Sequence, residues 1–143
     1  MKLSTKGRYG LRALLDLAVH ADGTHVSLYN IADRQQISVN YLEQVFSQLR
    51  KAGYVRSVKG AQGGYALAMQ PQEMTIGGIL RVLEGSLHIA TEETSGENPL
   101  QDCIKKYVWD RINGGIDHVV DSITLGDLVE EYRSGQDYTM FYI

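Results

Sequence analysis

The residues that invite a chemical reading fall into two groups in this 143-residue chain. The first is a row of polar and cationic side chains, Ser38, Asn40, Tyr41, Glu43, Gln44, Ser47, Arg50 and Lys51, interleaved with Leu42, Val45, Phe46 and Leu49. That spacing places hydrogen-bonding groups on one face of a helix and an apolar stripe on the other. An exposed helix of this kind can read base edges. Gln44 carries the paired donor and acceptor that match adenine, Glu43 can accept from cytosine while repelling phosphate, and Tyr41 can pack on a sugar or a thymine methyl. Arg50 and Lys51, with Lys2, Lys6, Arg8 and Arg56, suit phosphate oxygens, which orient a protein on a duplex without reading its sequence. Gln62 lies in a glycine-rich run, GAQGG at 60–64, which Lys59 flanks, and the two are fitted to an adjacent minor groove. The second group surrounds Cys103. A thiol near a helix start, with Lys105 and Lys106 beside it, has the makings of a redox or electrophile sensor. The other reading of Cys103 is a small, partly buried apolar residue.

Other chemistries lack their residues. His20, His25, His88 and His118 form no H-E-x-x-H pair, no G-x-S-x-G or Cys/His nucleophile arrangement occurs, and an enzyme is not expected. The glycine-rich run lacks the G-x-x-x-x-G-K-[ST] of a nucleotide-phosphate loop. A single cysteine excludes an intramolecular disulfide and agrees with a reducing compartment. No stretch approaches the roughly 18 apolar residues of a membrane span, and the polar start MKLSTK is unlike a signal core, so the expected address is cytoplasmic. The composition, 43% hydrophobic and 22% charged, is that of a folded chain. The formal charge of -3 conceals an asymmetry. Residues 1–72 hold nine basic and four acidic side chains, a net +5, whereas the remainder holds five and thirteen, a net -8. Only the first half can face a polyanion.

The elements that must carry these residues follow from periodicity. Ser4 or Thr5 caps a helix to about Ala21 with Leu11, Leu14, Leu15 and Ala18 on its apolar side and Arg8, Arg12 and Asp16 on another. Ser27 caps a short helix, Ser38 caps the base-reading helix to Ala52, and Gly53 closes it, which is the outline of a helix-turn-helix. Two short strands, Tyr54 to Lys59 and Tyr65 to Ala68, flank the glycine-rich tip and make a β-wing. Thr75 caps a fourth helix ending at Gly85, and a solvated loop follows. A long amphipathic helix from about Leu100 to Ser122 carries Ile104, Val108, Ile112, Ile116, Val119 and Val120, interrupted by Gly114 and Gly115 at roughly 1 kcal/mol each. Part of that stripe exceeds what one domain can use, so a homodimer is expected, the other reading being that the helix folds back on its own domain. Thr124 starts a last short helix before an aromatic end, Tyr138 to Ile143.

Read in order, MKLSTKGRYG at 1–10, ISVNYLEQ at 37–44, LRKAG at 49–53, GAQGGY at 60–65, VLEG at 82–85 and ITLGDL at 123–128 resemble the Rrf-two family of winged-helix transcription regulators. The resemblance implies a mainly α fold with a small β-wing: a winged helix-turn-helix at 1–84, a sensing or linker loop at 85–101, dimerisation and docking helices at 102–133, and a C-terminal tail at 134–143. It also implies a dimer on a palindromic operator in double-stranded DNA. Cluster-binding members hold a [2Fe-2S] centre with three cysteines in that loop. Here His88 to Lys106 offers only Cys103, so no metal or other cofactor is expected. Atypical ligation by His88, Glu92, Glu93, Glu97 or Asp102, or across the dimer, is the alternative. Loss of the cluster and the ending at Tyr138–Ile143 resemble a cluster-free branch that represses cysteine metabolism and works with cysteine synthase. The family more often carries Arg where this chain has Lys59, which keeps the charge but loses the planar fork. A protein-interaction module on the same scaffold is the other class of reading.

Overall fold

In the computed structural model, which describes the backbone of residues 2–61 and 63–142 and the side chains through residue 136 apart from Gln62, three serines set the starts of the first three helices. Ser4, Ser27 and Ser38 cap α1 (Thr5–His20), α2 (Leu28–Gln35) and α3 (Val39–Lys51), each accepting from a first-turn N–H. This is the usual remedy for the unpaired donors at a helix start. Gln36 closes α2 in the left-handed region, and Gly53 does the same after α3. The apolar stripes of the three helices meet in a core of Leu14, Leu17, Ile31, Leu42, Val45, Phe46 and Leu49, all with no exposed surface.

Strands β1 (Val55–Val58) and β2 (Gly64–Leu67) pair antiparallel, Val55 opposite Leu67 and Val58 opposite Gly64. A bridge from Val26 to Tyr65 ties this hairpin to the segment before α2, and Tyr65 packs its ring on Phe46 at 5.1 Å between centroids. Gly64 is required here, because a β-carbon would strike the Val26 carbonyl. A 3-10 turn (Pro71–Glu73) leads to α4 (Ile76–Glu84), capped by Thr75.

The long helix is three pieces in line: α5 (Pro99–Ile104), a π-helical turn (Lys105–Trp109) and α6 (Asp110–Ser122). A π turn inserts one extra residue, so everything beyond it is rotated by about 100° relative to an unbroken α-helix. That rotation returns Ile112 and Val119 to the face that carries Leu100 and Ile104, and all four are exposed. The expected stripe therefore splits. Ile116 and Val120 pack on the core of this chain, and the rest faces outward. Arg81 of α4 secures α6 by hydrogen bonds to Asp117 at 2.9 Å and Asp121 at 2.6 Å, and His88 reaches the other oxygen of Asp117 at 2.9 Å. A β-carbon at Gly114 or Gly115 would meet no atom of another element within 4 Å among the described residues, so neither glycine is required by close packing there.

Two expectations need correction. The last helix, α7 (Leu125–Tyr142), is long rather than short. Gly126 and Gly135 each cost about 1 kcal/mol relative to alanine, and neither stops the helix. Its start is stitched to α4 by Leu125 N–H to the Met74 carbonyl and Ile76 N–H to the Ile123 carbonyl, both 2.8 Å. Asp16 is the second correction. It lies on the same side of α1 as Arg12, as its spacing implies, but it is buried rather than solvated, its carboxylate accepting two bonds from the Arg34 guanidinium at 2.7 and 3.0 Å and one from Gln35 Nε2 at 2.8 Å. Burial alone would raise its pKa, but Arg34 and Gln35 prevail and hold it below the ordinary 3.8. The pair thus stabilises the fold above about pH 4, and its contribution is lost as pH falls through the depressed value. Asp16→Asn is expected to cost about 2 kcal/mol at pH 7 and to remove part of the acid sensitivity, as read by urea unfolding between pH 7 and pH 3.

Candidate nucleic-acid interface

Helix α3 advances about 100° per residue, so Asn40, Glu43, Gln44, Ser47, Arg50 and Lys51 fall within an arc of about 120°. The four buried residues Leu42, Val45, Phe46 and Leu49 occupy the opposite side. All members of the outward arc are exposed except Ser47, which is half-buried. Ser38 stands at the mouth of the helix with its oxygen accepting from the Tyr41 N–H at 3.0 Å, which leaves its hydroxyl hydrogen and one lone pair for a further partner. Tyr41 lies about 100° off the centre of the arc. Its ring meets the edge of Tyr9 at 6.5 Å and its hydroxyl lies 3.5 Å from Thr5 Oγ1, so its first contact is with the start of α1.

That contact brings the basic start of α1 beside the start of α3. Lys2 and Arg8 are exposed there and Lys6 is half-buried. Arg8 and Arg12 lie over the Tyr9 ring at 5.8 and 4.8 Å, and Arg12 also donates to the Gln35 carbonyl at 3.1 Å. Such stacking limits the freedom of long side chains before any ligand arrives. On the other side of α3 a groove of about 900 Å³ separates it from the wing, lined by Glu43, Val39, Tyr29, Asn30, Gly60 and Ala61 among others. Lys59 is exposed at the base of the wing tip, and Gln62 lies outside the described residues. Arg56 is exposed but lines a separate hollow with Asp22, Thr24 and Arg133, so the structure does not bring it into the groove that holds Glu43.

Sequence reasoning passed over Tyr29 and Asn30. Tyr29 is 74% exposed on α2, off the buried stripe of Leu28, Ile31 and Ala32. The available signal was an aromatic residue on the wrong side of an amphipathic helix.

The sequence profile of the Rrf2 (Rrf-two) family, described as an iron-dependent transcriptional regulator, matches residues 3–131. The chain is 44% identical to the HTH-type transcriptional regulator CymR of Bacillus subtilis across the whole of both proteins. The chain belongs to the Rrf2 family. Among solved structures, the CymR of B. subtilis, described as its global cysteine regulator, superposes with a TM-score of 0.79 at 43% identity, covering 92% of this chain and 98% of that one. The T. potens IscR gives 0.77 at 46% identity, covering 95% and 91%. As an Rrf2 protein the chain is a transcription regulator, mainly helical with a small two-stranded wing.

The family description implies iron, and the residues here do not fit it. Cys103 is the single thiol, and among the described residues no three His, Cys, Asp or Glu side chains gather to hold a metal ion. His88 is engaged by Asp117, and Asp102 accepts from the Ser95 and Gly96 N–H groups. Glu92, Glu93 and Glu97 are exposed. Each iron of a cluster needs two protein donors, usually thiolates. Cys103 itself is exposed on α5, not partly buried. Of the lysines expected to assist it, Lys105 is bound to Asp110 at 2.9 Å and Lys106 lies over the Tyr107 ring at 5.8 Å.

Lys59→Ala is expected to weaken DNA binding and to reduce the slope of log affinity against log salt by about one unit, measured by fluorescence anisotropy. An unchanged slope removes Lys59 from the phosphate contacts.

Proposed function

We propose that this Rrf2 protein is a homodimer that binds a palindromic operator with two copies of α3 in successive major grooves and represses genes of cysteine and sulfur metabolism without an iron-sulfur cluster. The observation that carries the reading is the outward arc of α3, six polar or charged side chains on a buried apolar base, flanked by the basic start of α1 and the wing. In it Gln44 and Glu43 read base edges with Asn40 and Ser47. Arg50, Lys51, Lys2, Lys6 and Arg8 hold phosphates, Arg56 a more distant one, and Lys59 with Gln62 enters the minor groove.

Dimerisation rests on the exposed apolar row of Leu100, Ile104, Ile112 and Val119, with Leu100 78% exposed. A row of this kind on one helix is more than a lone subunit leaves in water. Two half-sites about one DNA turn apart, roughly 34–36 Å, then convert a modest set of contacts into a specific one. The cysteine-metabolism assignment rests on the likeness to CymR, and a cysteine-synthase partner on the resemblance to its branch. Docked on a DNA-bound dimer, that partner would report the supply of cysteine.

Selection from random DNA is expected to return a two-fold symmetric site, and Ile112→Asp should make the protein monomeric by sedimentation and weaken that site by about 100-fold. An asymmetric site bound by a monomer defeats the reading. The thiol reading of Cys103 keeps a place because the side chain is exposed. If it holds, peroxide alters operator binding by the natural protein and leaves Cys103→Ser unaffected.

A further inference from the structure

We infer that Glu84 is a positioning residue for DNA binding: its carboxylate, delivered from the end of α4, fixes the basic start of α1 in the place from which Lys6 and Arg8 meet phosphate. One oxygen, Oε1, accepts from the Ser4 N–H at 3.0 Å, the Ser4 hydroxyl at 2.6 Å and the Gly7 N–H at 2.8 Å. Gly7 has no room for a β-carbon because Glu84 fills that space. A local cap is already present, since Ser4 Oγ accepts from the Lys6 N–H at 3.2 Å. A carboxylate from 80 residues away adds what a local cap cannot, a fixed register between α1 and α4.

The same carboxylate occupies donors that would otherwise attract an anion. Phosphate recognition at this end therefore passes to the side chains of Lys6 and Arg8. A second tether, Thr5 to Tyr41, joins the start of α1 to α3. Shifting α1 by an ångström would misplace its cations relative to the base-reading arc, although α3 itself would be intact. The hydrogen bonds from Ser4 and Gly7 lower the Glu84 pKa, so the group is ionised at neutral pH. Glu84 is also the last residue before Gly85, which adopts a positive φ of 82° and opens the loop to α5.

The inference rests on the DNA-binding reading, and the test separates the two. Operator affinity is measured by fluorescence anisotropy from 50 to 300 mM salt for the full chain, with Glu84→Ala, Glu84→Gln, Lys6→Ala and the Lys6→Ala/Glu84→Ala pair. Glu84→Ala is expected to lose about tenfold in affinity at 100 mM salt and one to two units of salt slope, at roughly 0.9 per phosphate contact. Glu84→Gln, which keeps an acceptor, should recover part of both and serves in its place if the alanine variant does not fold. Adding Lys6→Ala to Glu84→Ala should cost less than it does in the natural protein, because coupled residues are not additive. A lower melting temperature with the natural salt slope, or strictly additive losses, would falsify the positioning role while leaving DNA binding in place. A natural protein with no salt-dependent binding to any duplex overturns the DNA-binding reading and this inference with it.

Discussion

Everything at the nucleic-acid face hangs on how α1 is held. The helix is pinned toward its C-terminal end by Asp16, whose buried carboxylate accepts hydrogen bonds from Arg34 and Gln35 at the end of α2. An ion taken out of water is costly, and it persists only where its partners are complete. The geometry of the pair is bidentate, the arrangement in which arginine and carboxylate fit best. A correctly placed α1 is thus a condition for keeping the charge buried. Because α2 leads through Gln36, Ile37 and Ser38 into α3, the same contact ties the approach to α3 to α1.

The start of α1 is governed by different forces. There the contacts are exposed or half-buried: Glu84 with Ser4 and Gly7, Tyr41 with Thr5 and Tyr9, Arg12 over Tyr9. Individually such contacts contribute little in water, but they converge on one turn of helix and align it with α3. The wing is held by a third set of constraints: the bridge from Val26, the close approach that Gly64 permits, and the packing of Tyr65 on Phe46 with Val55 in the core. The groove between wing and α3 exists because these three anchors leave it open. Tyr29 and Asn30 contribute to its wall from α2.

The long helix serves a separate purpose. Its C-terminal part belongs to the winged-helix body through Ile116, Val120 and the Arg81–Asp117–Asp121 cluster, and its N-terminal part does not. The π turn at Lys105–Trp109 lets one helix keep both faces useful, by rotating the downstream half into line with Leu100 and Ile104. The loop between α4 and α5 is organised by hydrogen bonds from α6. Asn113, buried in α6, accepts from Ile89 N–H and donates to the Ala90 carbonyl, both at 2.9 Å. An amide that fixes a loop needs no metal.

The helices, their caps and the wing were legible in the residues because their causes are local. A serine before an amphipathic run can be recognised without knowing what the run packs against, and the base-reading arc of α3 follows from a period of 3.6. The charge asymmetry between the halves was equally plain, as was the lack of thiols for a cluster. What the sequence did not reveal depends on residues far apart in the chain. Asp16 reads as surface because nothing local announces Arg34 above it, and Glu84 reads as an ordinary helix end because Ser4 is 80 positions away. The place of Arg56 beside Arg133, the second role of Tyr41 and the split of the apolar stripe likewise depend on where helices cross. Local periodicity determines which face of an element is apolar; only tertiary packing decides which buried charge finds its partner and which apolar face is left for another chain.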